Sequence, residues 1–167
     1  MHEMVEYIHR YYQNEQINAF LSIAIGTVIL LSSFILSPFF ENEGLVKGLS
    51  YAFNVGGLFF LIAGVIVAVG NRGQMTEIRN SAQTNVELHK SEIARMSLVM
   101  KSSYRSALIL FSTLIFGGLV LALSVSSDFW KGIGLGLLIV GTTGHAIEAF
   151  SMWKSKRYQQ ELNSIKF

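Results

Sequence analysis

Four stretches of this chain contain no Asp, Glu, Lys or Arg: Asn18 to Phe40, Gly48 to Asn71, Ser106 to Ser127 and Gly132 to Ile147. Helices crossing a hydrocarbon core of ~30 Å need about 20 consecutive apolar residues. The pattern therefore predicts four membrane spans, at 18–40, 46–70, 105–127 and 131–153, each of 23 to 25 residues. Aromatic residues suited to the membrane–water interface stand at the ends: Phe39 and Phe40, Phe129 and Trp130, then Trp153 and Tyr158. Composition agrees, with 14% charged residues against about 25% in an average soluble domain. The fold class expected is all-α and integral to a membrane.

The distribution of Lys and Arg sets the expected orientation. An even number of spans puts both termini on the same side as the 71–104 segment. That side holds Arg10, Arg72, Arg79, Lys90, Arg95, Lys101, Arg105, Lys154, Lys156, Arg157 and Lys166, eleven in all, whereas the two short turns hold only Lys47 and Lys131. Cytoplasmic loops carry the excess of positive charge, so both termini are expected in the cytoplasm, with a bacterial inner membrane as the setting. Residues 1–16 are too polar for a cleaved signal peptide, and the first span is expected to serve as an uncleaved anchor.

The organisation expected is a 1–16 amphipathic segment, a 17–153 membrane domain and a 154–167 tail. Residues 1–16 set Met4, Val5, Ile8, Tyr11 and Tyr12 against Glu3, Glu6, Arg10 and Gln13. Such a helix lies on a membrane, packs on the loop helices, or lines a pore. The 71–104 segment contains no Pro and carries apolar or weakly polar residues at Ile78, Ala82, Val86, His89, Ile93, Met96 and Met100. Steps of three and four make a helical stripe, and spans two and three are expected to run on as an antiparallel hairpin turning near 80–85. Ile93, Met96 and Met100 are the expected docking residues for a cytosolic protein partner. Lys154, Lys156 and Arg157 form a basic collar for anionic lipid headgroups.

Small residues four apart occur in every span: Ser22/Gly26, Ala52/Gly56, Gly64/Ala68, Gly118/Ala122 and Gly132/Gly136. They let helix backbones approach inside a bilayer. The density of glycine in GIGLGLLIVGTTG (132–144) resembles that of helices lining a symmetric axis, and a homo-oligomer is expected.

Glu148 is the one carboxylate deep in a span, with His145 one turn earlier. A charge at such depth is costly unless paired, protonated or wetted. Arg105 is the expected partner; a proton or ion path through Glu148 and His145 is the other reading. Asn54 sits within span two and either bonds a neighbouring helix or lines a polar space.

Several classes are excluded or disfavoured. The absence of cysteine removes disulfides and thiolate chemistry. Three Glu/His pairs at helical spacing, Glu6–His9, His89–Glu92 and His145–Glu148, lie at different depths, and no metal or other cofactor is expected. No catalytic triad, P-loop or dinucleotide fingerprint occurs, so an enzyme is not expected. A net charge of +2 gives no basis for nucleic-acid binding. The expected function is to form or gate a pore; the layout is similar to that of large-pore four-span channels such as the connexins, without their extracellular cysteines. The alternative is a membrane-resident sensor, effector or immunity protein, as in bacterial toxin or phage defence.

Overall fold

The computed structural model describes residues 2–39, 43–80 and 84–165. It is helical almost throughout: α1 His2–Phe39, α2 Gly44–Asn80, α3 Asn85–Leu98, a π-helical turn Val99–Ser103, α4 Tyr104–Ser124 and α5 Asp128–Ser164. Four helical segments are long and apolar enough to cross a membrane, α3 and α4 counting together as one through the π turn. At 1.5 Å per residue the 38 residues of α1 extend about 57 Å, roughly twice a hydrocarbon core. The amphipathic 1–16 segment is therefore not a separate surface helix; its residues 2–16 are the first turns of α1.

Neighbours follow a fixed order. α1 packs on α2, α2 on α5 and α5 on α4. α4 makes no close backbone approach to α1 or α2 among the described residues, which leaves a seam between α1 and α4. Small residues set the close crossings. A Cβ on Gly118 would stand 2.6 Å from the carbonyl oxygen of Gly134, and one on Gly26 would stand 2.7 Å from that of Gly57. The glycines of α5 face two partners at once: Gly132 and Gly136 meet α2, while Gly134, Gly141 and Gly144 meet α4. The expectation that this density lines an axis between copies is corrected here, since packing within one chain uses each of these positions.

α3 begins at a capping box. The Thr84 side chain accepts from the Glu87 N–H, and Glu87 Oε2 accepts from the Thr84 N–H at 3.0 Å. The expected hairpin pairing is also corrected. α3 packs on α5 and α1, with no close backbone approach to α2. The reason lies in the faces on offer. Leu88 and Met96 of α3 bury against Met4, Ile8, Tyr11 and Tyr12 of α1 and Tyr158 and Leu162 of α5. The end of α2 contributes only Met75 and Ile78 to that cluster, being otherwise polar. A second apolar cluster, built on Ile29, Phe53, Phe60, Phe111 and Val140, lies deeper in the bundle.

Outside these clusters the long helices carry large exposed apolar side chains, among them Phe34, Ile66, Phe116 and Leu123, each at least 65% exposed. Contiguous apolar exposure on that scale calls for a covering other than water.

Candidate functional site

The seam between α1 and α4 holds a cavity of about 370 Å³ toward the end of the bundle where α1 begins and α5 ends. Every long helix contributes. α1 supplies Tyr11, Tyr12, Glu15 and Asn18, and α2 supplies Asn71 and, deeper, Phe59 and Phe60. Arg95 comes from α3, Tyr104 and Phe111 from α4, and Glu148 from α5. On α2 the lining runs from Asn71 to Phe59, twelve residues apart, or about 18 Å of helix.

Two carboxylates give this space its character. Glu15 accepts from Asn18 Nδ2 at 3.1 Å, and Lys154 Nζ donates to Asn18 Oδ1 at 3.3 Å. Burial pushes the Glu15 carboxyl up to about 7; the Asn18 hydrogen bond and Lys154 pull it down, and Glu148 across the cavity adds to the rise. Glu148 is half-buried and forms no ion pair among the described residues. Asn71 adds a buried Nδ2 with no hydrogen-bond partner.

The rise at Glu15 has a consequence for stability. The folded chain holds this proton more tightly than the unfolded chain, whose carboxyl titrates near 4.5. Wherever the native state binds more protons, stability falls as pH rises, here across the window from about 4.5 to 7. Glu15→Gln is expected to match the native chain at pH 4 and exceed its melting temperature at pH 8. Equal melting curves at both pH values would refute the shift.

Arg95 also pulls the Glu15 carboxyl down, but least of the groups around it, because its guanidinium is engaged elsewhere. Its Nε and Nη2 donate to the two oxygens of Glu92 at 2.8 and 2.7 Å, and it lies 4.9 Å from the centre of the Tyr12 ring. Glu92 also accepts from Tyr158 Oη at 3.0 Å. Tyr158 stacks on Tyr11 at 3.9 Å between ring centres. Ser155, fully buried, has its Oγ 2.8 Å from the hydroxyls of both Tyr11 and Tyr104. This polar–aromatic network ties α1, α3, α4 and α5 together around the mouth.

The inner end is closed by rings. Phe60 stacks on Phe111 with centres 6.0 Å apart, and Phe59 meets Phe111 edge-on at 6.0 Å. Phe111 is only 3% exposed and its ring lies against Gly144. Beyond these rings lies a second cavity of about 350 Å³, lined by Tyr51, Val55, Gly56, Leu114, Leu137 and Val140. Phe59 and Leu110 border both spaces. The pair of cavities accompanies α2 from residue 71 to residue 51, about 30 Å of helix.

The residues singled out from sequence divide accordingly. Glu148 lies in the cavity, whereas Arg105 is exposed on α4, lines a shallow groove with Met100 and Met152, and forms no ion pair with Glu148. The expected Glu148–Arg105 pair is thus corrected. His145 does not line the cavity; its Nδ1 lies 3.5 Å from Ser112 Oγ on α4. Asn54 is half-buried on α2 and also lies outside the cavity lining. Met96 is fully buried and Ile93 packs on the same cluster, so neither presents a free docking surface. Of the basic collar, Lys154 serves Asn18 and sits 4.5 Å from the Phe150 ring centre, Arg157 pairs with Glu161 at 3.0 Å, and Lys156 is exposed.

Among the described residues no three His, Asp or Glu side chains converge as a metal site would need. His89 Nε2 instead lies 2.8 Å from the carbonyl oxygen of Leu162. Glu15, Glu92, Arg95 and Ser155 were missed as site residues. Only Glu15 carried a usable signal, an acidic side chain one turn before the polar start of a span.

No protein-family model, curated protein or solved structure matches this chain.

Proposed function

We propose that this chain is an integral membrane protein with four spans, both termini and the 71–104 segment in the cytoplasm, and that it gates a passage for cations along the α1–α4 seam. The observation that carries the reading is the sequence of spaces that starts in that seam: an acidic vestibule, a barrier of three phenylalanine rings, and beyond it an apolar chamber between α2, α4 and α5. Hydrophobic constrictions gate by excluding water, and carboxylates at a mouth concentrate cations. The eleven-to-two distribution of Lys and Arg supports the orientation, and exposed Lys156 suits anionic headgroups.

Copies assemble as a homo-oligomer through α4, whose apolar window is only 11% covered by the rest of the chain against 22–39% for the other three. The absence of cysteine makes this direct to test, since one cysteine placed at Phe116 has only its counterpart to cross-link to.

Proteoliposomes with a potassium gradient test the passage. Phe111→Ala opens the barrier and is expected to raise flux at least tenfold, with Glu148→Gln lowering it in that background. Flux equal to that of protein-free liposomes for both the native chain and Phe111→Ala would overturn the reading. The alternative, a sensor or effector that docks a cytosolic protein, is supported by Val86 and Leu98, which stand 42% and 67% exposed on α3.

A further inference from the structure

We propose that the seam binds an amphiphilic organic monocation of the long-chain alkylammonium class, its head between Glu15 and Glu148 and its tail along the apolar chamber past Phe59. The inference deepens the cation reading above by naming the kind of cation, and it rests on that reading's placement of the seam within a bilayer.

Three observations meet in one place. The first is charge. Glu15 and Glu148 face one cavity, while the guanidinium of Arg95, which also borders it, is held by both oxygens of Glu92. The groups around Glu15 are Asn18 on its own helix, Arg95 from α3, Tyr104 from α4, and Glu148 and Lys154 from α5. Lys154 offsets only part of the negative charge, and its Nζ is bonded to Asn18.

The second observation is the chemistry of the walls at that level. Tyr11, Tyr12 and Tyr104 line the acidic end together. Aromatic rings beside carboxylates are the surroundings that recognise quaternary and protonated amines; one face of Tyr11 is taken by Tyr158, and Arg95 lies over Tyr12. A small hydrated metal ion gains little from such walls.

The third is the tail. An ion in transit gains no binding energy in the second chamber, which is lined on α2, α4 and α5 by Tyr51, Ala52, Val55, Leu114, Ile133 and Val140. An alkyl chain does, because each buried methylene contributes about 0.8 kcal/mol of transfer free energy. The seam is also open at the side: Phe59 is 42% and Leu110 44% exposed where the two spaces join, and no backbone of α4 closes on α1. A molecule already dissolved in the bilayer reaches the site laterally, with its head at the level of Glu148 and its tail parallel to the helices. Protons compete for the same place, since burial pushes the Glu15 carboxyl up to about 7.

The full chain in nanodiscs of zwitterionic lipid, titrated calorimetrically with dodecyltrimethylammonium below its micellar range, provides the test. One molecule is expected per chain beyond the uptake of protein-free nanodiscs. Binding should weaken at least tenfold in Glu148→Gln and in Glu15→Gln, and at least threefold when the pH falls from 8 to 6. Tetramethylammonium, with a head and no tail, should bind at least tenfold more weakly. Should both glutamine variants fail to fold, Val55→Trp decides, since it fills the apolar chamber from an exposed position; it should weaken the long-chain cation and leave tetramethylammonium unchanged.

Equal excess uptake of dodecyl sulfate, no excess over protein-free nanodiscs, or full binding by both Val55→Trp and a folded Glu148→Gln would each overturn the proposal. Potassium flux in proteoliposomes of the same variants separates the two readings. Flux without bound alkylammonium removes this proposal and keeps the passage. Saturable alkylammonium binding that Glu148→Gln weakens, with no flux even in Phe111→Ala, keeps the binding site and removes the passage.

Discussion

Glu92→Leu is expected to cost about 3 kcal/mol of stability and to lower the melting temperature in mild detergent by roughly 6–12 °C. Glu92 is 3% exposed and accepts from Arg95 twice and from Tyr158 once. Removing the carboxylate strands a guanidinium and a phenol at the same moment. Losing one partner of a buried pair costs about 3–5 kcal/mol, because the other charge stays buried without compensation. The lower end applies because the Arg95 side chain retains 28% exposure and can turn partly to water. The companion measurement is the double variant Glu92→Leu with Arg95→Met. It is expected to recover more than half of the loss, since replacing both partners by apolar groups of similar size is close to neutral. A double variant no better than the single one would mean that the ion pair is not the source of the cost. The vestibule should respond too, because Arg95 released from Glu92 is free to turn toward Glu15 and Glu148.

Gly132→Val is expected to abolish recovery of folded protein. A Cβ at Gly132 meets the carbonyl oxygen of Leu45 on α2, and the neighbouring contact, Gly48 with the carbonyl oxygen of Phe129, is equally close. Both obstacles are backbone, so no rotamer change relieves them. Valine adds three carbons to a crossing that has no room for one, and the α2–α5 pair has to separate along its length. Overpacking of ordinary cores costs about 1–3 kcal/mol, occasionally more; a clash with rigid backbone on both sides belongs at or beyond the upper end. Gly73→Ala is the control. A Cβ at Gly73 meets nothing within 4 Å, and helix propensity alone favours alanine there by up to about 1 kcal/mol. A Gly132→Val chain that purifies and melts like the native one would show that the α2–α5 crossing is not as close as these contacts make it.

The sequence by itself determined the number of long helices, their approximate ends and their apolar character. Charge-free runs of this length leave a chain one economical way to satisfy its backbone, which is helix, and the helix ends at Phe39 and Gly44 and at Asn80 and Asn85 flank runs of sequence where polar residues cluster. The stripe through Ile93 and Met96 was equally legible as a buried face. Its partner was not, because periodicity shows which side of a helix is apolar and says nothing of what covers it. Tertiary structure decided that α3 lies on α1 and α5, and that Met96 is consumed inside the chain. It also decided the fate of the glycines. Spacing of four marks a close approach, yet the same spacing serves a neighbour in the chain and a neighbour in an assembly, and here α2 and α4 take both faces of α5.

The site divides in the same manner. Glu148 stands out in any reading of residues 131–153, because one carboxylate among apolar residues has to be explained. Its pairing with Arg105 followed from depth along the chain, and depth alone cannot tell which direction each helix face points. Rotation about the helix axes puts Arg105 on the outside of α4 and turns Glu148 inward toward Glu15. Glu15 belongs to a polar run that sequence places merely before a span. Only because α1 continues unbroken from His2 to Phe39 does that run enter the bundle and bring a second carboxylate to the cavity. Which charges share a space is a property of how helices rotate and cross, set by interlocking side chains that are far apart in the chain.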